Sequence, residues 1–187
     1  EKTYTLEELD IVLKKSDFLI NLLPSSGKTK YLLTIEKMKI MKRDLILEKL
    51  IAEQRKVIES LQQSVNQYKS ASDMDEESTH DPEDFSQQSQ AKDMQLRFEK
   101  MLGEADENLS FLMNEKQSRH DLIEKGSVIE TDKNFLFVGI SVPVFEVNGK
   151  EVISFSDNAP IFEGFKGKKI GDSVKIGNHS YKIQSVG

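Results

Sequence analysis

Between residues 41 and 125 the seam positions fall at alternating spacings of three and four. In the first run they are Leu47, Leu50, Gln54, Val57, Leu61, Ser64 and Tyr68, with Ile51, Ile58 and Val65 widening the stripe. In the second they are Ala91, Met94, Phe98, Met101, Ala105, Asn108 and Leu112. This spacing predicts two long helices, each with one apolar seam. Two seams of equal length joined by a short polar turn pack antiparallel. Gln54, Ser64 and Asn108 weaken the seam but restrict the registers it can adopt. Roughly 30 residues at about 1.5 Å each make a rod about 45 Å long. A rod this thin buries little, so it reads as a spacer or a probe. Gly103 interrupts the second helix at a cost of about 1 kcal/mol relative to Ala. It reads as a close helix approach or a bend.

From Gly126 onward the periodicity changes. Leu136, Val138, Ile140 and Val142 alternate with other residues, as strand positions do. Asn148-Gly149 separates two extended runs, a strong hairpin signal. A second hairpin is expected around Gly177-Asn178, and Pro160 stands where a short helix could start. The expectation is a small antiparallel sheet with one helix packed on it. The predicted layout is an extra segment at 1–40, a helical hairpin at 41–125 and a β domain at 126–187.

Composition narrows the choice. The chain has 187 residues, a net charge of -6, 31% charged and 37% hydrophobic residues, and no Cys. Disulfides and thiolate metal sites are excluded. A reducing, cytoplasmic setting is expected. The apolar stretches are too short to span a membrane, so no membrane partner is expected. The acidic total argues against a broad cationic grip on nucleic acid. In the β domain Lys and acidic residues balance, so that part does not read as a polyanion binder.

The acidity concentrates between the two helices. Asp73, Asp75, Glu76, Glu77, Asp81, Glu83 and Asp84 occur before the first balancing cation, Lys92. Part of this is a helix start: Asp81 can cap, Pro82 suits the first helical position, and Glu83 and Asp84 complement the helix dipole. A cap needs one or two acids, and this cluster holds many more. Crowded carboxylates suit a share in a divalent cation, because Mg²⁺ takes only one or two protein carboxylates where phosphates supply the rest. Elsewhere, His80, His120 and His179 are far apart and read as surface residues. Met94 and Met101 read as hairpin core, and Lys166–Lys169 as a solvated loop or an interface rim.

Two stretches carry a resemblance. "DPEDFSQQSQAKD" is similar to the tip of the bacterial transcript cleavage factors of the GreA/GreB family. Asp81 falls on the family motif's Asp, Asp84 on its Glu, and Ala91-Lys92-Asp93 on its Ala-Lys-Glu stretch. The family's Ser-Pro-Leu, Gly-Lys and Gly-Asp pattern is matched by Ala159-Pro160-Ile161, Gly167-Lys168 and Gly171-Asp172, and its closing strand by "YKIQSV". The resemblance covers residues from about 41 to 187. It implies an α+β fold, in which a long antiparallel coiled-coil hairpin precedes a small FKBP-like antiparallel β domain with one short helix.

It also implies a function. The factor is not itself an enzyme. It is a monomer that docks at the RNA polymerase secondary channel, near the RNA 3′ end, and promotes cleavage of backtracked RNA. Asp81 and Asp84 are then the assisting residues, sharing Mg²⁺ jointly with the polymerase, with no cofactor of the factor's own. Asp157 and Pro160 are candidates for partner docking. The chain departs from the family at Phe85, where the motif has Asn, and at Gln87-Gln88, where it has Glu-Tyr. Two alternatives stay open: a channel regulator that does not stimulate cleavage, and a coiled-coil adaptor.

The first forty residues are different. Ser16-Asp17, Ile20 to Pro24 and Thr29 are similar to part of the cofactor domain of D-2-hydroxyacid dehydrogenases. No Gly-rich phosphate loop accompanies them. They are expected to be a fused or upstream segment, poorly ordered or packed opportunistically, with Met41 where a Gre-type chain would begin.

Overall fold

A computed structural model of the chain describes residues 35–73 and 82–187, with side chains at 42–73 and 86–187. The dehydrogenase-like run at Ser16 to Thr29, His80 and Asp81 lie outside the described residues. The fold is α+β: two packed long helices, then a six-stranded, mostly antiparallel sheet. The chain divides into two compact units, residues 50–114 and residues 1–49 with 115–187. Among the described residues no helix is long and apolar enough to cross a membrane.

Helix α1 spans Ile35–Ser72 and α2 spans Pro82–Glu115. Neither has an internal Pro after its first residue, and Gly103 is the lone Gly in either. Straight-chain Leu, Gln, Glu and Lys, which lose little rotamer freedom in a helix, dominate both. The first helix begins ahead of the expected start near residue 41. The second ends at Glu115, short of 125, and irregular chain follows to Gly126.

Within the 50–114 unit the helices pair antiparallel, because contacts climb one helix as they descend the other. Gln54 Nε2 donates to the Ala105 carbonyl at 2.9 Å, and Tyr68 stacks on Phe98 with ring centroids 5.4 Å apart. Leu50, Ile51, Leu61, Val65, Ala105 and Leu112 are buried. The expected seam drifts by one residue along α2. Met101 is 48% exposed, and Leu102 turns inward instead, half-buried. Phe98, Leu102, Ala105, Leu109 and Leu112 keep the regular four-three spacing, which moves the seam by one residue.

In the other unit the strands are β1 (Val128–Thr131), β2 (Phe135–Gly139), β3 (Phe145–Val147), β4 (Lys150–Ser156), β5 (Ser173–Ile176) and β6 (His179–Val186). Their order across the sheet is β3-β4-β2-β1-β6-β5. One pair corrects the wholly antiparallel expectation: β2 and β4 run parallel. Two reversals produce it, one across residues 140–144 and one at the Asn148-Gly149 turn. After β2 the chain passes to the far edge, forms β3, and folds back so that β4 fills the gap beside β2. Both turn residues have positive φ, 52° and 75°, as a two-residue type I′ turn requires. The second expected hairpin joins β5 to β6.

Strand β2 is buried along its whole length, so it does not alternate between core and solvent as the sequence suggested. Leu136 and Val138 face a core of Ile123, Ile129, Phe155, Phe165, Val174 and Ile183. Phe135 has the ammonium groups of Lys42 and Lys150 within 6.0 and 5.4 Å of its ring centre. Helix α3 (Pro160–Phe165) starts at Pro160, as expected, and drives Phe165 into the core.

Candidate functional site

Helix α2 begins at Pro82, so the acidic run ends where the sequence places a helix start. Asp84 stands in the first turn of α2. Asp81 lies outside the described residues, and nothing of the Asp84 side chain is described. The end of α1 is tied to α2. Ser72, the last residue of α1, is buried, and its hydroxyl lies 2.9 Å from the Lys69 carbonyl and 3.2 Å from Gln95 Oε1. Gln88 Nε2 donates to the Ser72 carbonyl at 2.9 Å. Gln95 is buried, accepts from Lys92 Nζ at 3.0 Å, and donates to Glu99 at 2.7 Å. Gln95 is a functional candidate that the seam reading missed. Its four-residue spacing from Ala91 was the available signal.

Asp157 and Pro160 belong to the sheet unit. Asp157 is partly exposed, and its carboxylate lies 3.6 Å from Lys125 Nζ. Pro160 is exposed at the first position of α3, after an Ala159 N-cap that makes no side-chain bond. The two residues, three apart in sequence, lie at the surface where β4 passes into α3.

The sheet unit also holds a polar cluster that was not legible in the sequence. Arg43, 2% exposed, donates from Nη1 to the carbonyls of Gly126 and Gly187 at 2.8 and 2.9 Å. Its Nη2 donates to the carbonyl and carboxylate of Glu115 at 3.2 and 3.0 Å. Burial pushes the Arg43 pKa below its ordinary value, while Glu115 pulls the other way. His120 is no surface residue. Its side chain is 10% exposed, with Nε2 at 2.8 Å from Glu115 and Nδ1 at 2.8 Å from Glu124. Both partners lie within five residues of His120 in sequence, but the chain there is irregular, so no helical spacing announced them. His179, in contrast, is exposed as expected.

A second charged centre lies at Glu130, which accepts from Lys42, Lys150 and Ser185. Burial alone would raise its carboxyl pKa, but hydrogen bonds and charge from Lys42 and Lys150 outweigh it and hold the group below the usual carboxylate range. Both centres pair a buried or half-buried charge with opposite charges inside the sheet unit. Among the described residues no group of three or more His, Cys, Asp or Glu could hold a metal ion.

These features define an α+β chain in which a polar-braced helical pair carries an acidic end and a separate sheet unit carries Asp157 and Pro160 at its surface. No family model, curated protein or solved structure matches it.

Proposed function

We propose that the chain is an RNA polymerase-binding elongation factor that promotes Mg²⁺-dependent cleavage of backtracked RNA. On this reading the helical pair is a coiled-coil hairpin that enters the secondary channel. The sheet with α3 is an FKBP-like domain that docks at the channel mouth through the surface at Asp157 and Pro160. The setting is the cytoplasm. The single observation that supports the reading best is the acidic run set between two paired helices, with α2 starting at Pro82 beside the motif acids Asp81 and Asp84.

The donor chemistry fits. Carboxylate oxygens are the hard ligands that Mg²⁺ takes, one or two at a time. A second Mg²⁺ held jointly with the polymerase would supply an activated water for phosphodiester hydrolysis. The role left to this chain is to carry Asp81 and Asp84 to that ion. The test is cleavage in a stalled elongation complex. Wild type should stimulate it, and Asp81→Ala with Asp84→Ala should abolish stimulation while still binding polymerase.

One observation favours a second reading. Phe85 and Gln87 replace polar and acidic motif positions, and Asp84 is one methylene shorter than Glu. A factor so altered could occupy the channel and regulate without cleaving. Binding without stimulation by wild type would establish that reading. Failure of wild type to bind would leave a coiled-coil adaptor.

A further inference from the structure

We propose that Ser72, Gln88 and Gln95 are positioning residues that fix the register of α1 against α2 next to the acidic run. The proposal rests on the acidic-tip reading and names the device that would aim Asp84. The last carbonyls of a helix have no partner inside it. Here the Ser72 carbonyl accepts a hydrogen bond from the Gln88 side chain, across sixteen residues of chain. Gln95 then places an amide, 5% exposed, on the face that packs against α1.

A buried amide costs stability unless it is bonded. This one is bonded at both ends, its oxygen by Lys92 and Ser72 and its nitrogen to Glu99. Leucine would suit an apolar seam better on stability grounds alone. A polar residue at such a position instead selects one register over its neighbours. Gln88 stands seven residues before Gln95, so helical spacing puts both on one side of α2, and Asp84 lies one turn of chain before Gln88. Slipping α2 by one residue would move Asp84 about 1.5 Å along the axis and turn it by about 100°. Misplacement of about 1 Å can cost a hundredfold in a positioned reaction.

The test uses the full chain, which lacks Cys, so Ser70→Cys and Gln90→Cys give unique spin-label sites on exposed positions. Distance distributions between the labels are compared for the otherwise unaltered chain, Gln88→Ala, and Gln88→Ala with Gln95→Leu. The expected result is a single narrow distance that broadens or shifts in the variants, with helix content retained. In the same variants without labels, cleavage should slow about tenfold or more at unchanged affinity for polymerase. Gln95→Leu alone should melt no lower than wild type yet cleave more slowly, a split that a merely structural role would not produce. An unchanged distance distribution overturns the proposal whatever the cleavage result. A changed distribution with full cleavage overturns the positioning role. If wild type stimulates no cleavage, the acidic-tip reading fails and takes the aiming of Asp84 with it; the distance measurement tells that failure apart from failure of the register lock.

Discussion

Arg43 and Glu115 face each other inside the sheet unit, with Nη2 3.0 Å from Oε2 and side chains only 3% and 12% exposed. Removing one partner leaves the other charged and poorly solvated. Arg43→Met or Glu115→Leu alone is therefore expected to lower unfolding free energy by about 3–5 kcal/mol. The paired change, Arg43→Met with Glu115→Leu, should recover much of that loss, because neither charge is then stranded. Denaturant midpoints for the four proteins of the cycle decide the matter. Equal loss in the single and double variants would show that the carbonyl bonds to Gly126 and Gly187, not the ion pair, carry the effect.

Glu130 makes acid stability predictable in sign. Its folded pKa lies below the ordinary value, because two ammonium groups together outweigh the effect of burial. The contribution is complete above the unfolded carboxylate pKa, about 4, and fades as pH falls through the lower folded value. Glu130→Gln should cost about 1–3 kcal/mol near neutrality, and the gap to wild type should close progressively below about pH 4. Thermal melts of both proteins across this range provide the measurement. A gap that widens in acid would contradict the assignment.

Part of this was legible and part was not, for identifiable reasons. The two helices, the Asn148-Gly149 turn and the Pro160 helix start follow from local chemistry, and local chemistry is written in neighbouring residues. Met101 was misplaced because spacings of three and four admit two adjacent seams, and Leu102 satisfies the same rule. The parallel β2–β4 pair was invisible because it follows from where β3 lands, which no short-range signal fixes. Arg43 and its bond to Glu115 were missed for a related reason. Arg43 meets its partners across 72 to 144 residues of chain, and a lone Arg in a helix reads as surface. Gln95 was hidden by polarity, since a glutamine between apolar positions does not declare itself buried.

Two glycines should respond oppositely to the same change. Around Gly103 a Cβ would meet nothing within 4 Å, so neither close helix approach nor crowding requires glycine there. Gly103→Ala should stabilise the chain by about 0.5–1 kcal/mol through helix propensity. Gly126 has φ of 95°, and a Cβ there would collide with the Glu115 carboxylate and lie 2.7 Å from His120 Nε2. Gly126→Ala should destabilise by at least about 2 kcal/mol, through backbone strain and disruption of the Arg43 cluster. Melting temperatures moving in the same direction for both variants would refute the contrast.

The turn at Asn148-Gly149 governs more than a surface loop. β3 is an edge strand of three residues paired only with β4 among the described strands. With so short a ladder, its register depends on the turn, whose two positive φ angles suit Asn and Gly. Gly149→Ala puts a side chain at φ of 75°, where L residues lose about 1–2 kcal/mol. The space around Gly149 is open, so the cost is backbone strain and not collision. The loss should therefore concentrate in β3. Amide exchange at Val147 and at the β4 residues facing β3 should quicken, while the β2–β4 pairing, which has its own parallel ladder, stays protected. Asn148→Gly relieves the remaining strained residue and should leave exchange at β3 nearly unchanged. If Gly149→Ala instead loosens β2 and β4 together, then the hairpin and the centre of the sheet open as one unit, and the turn holds the parallel pair in place as well as supplying one of its two reversals.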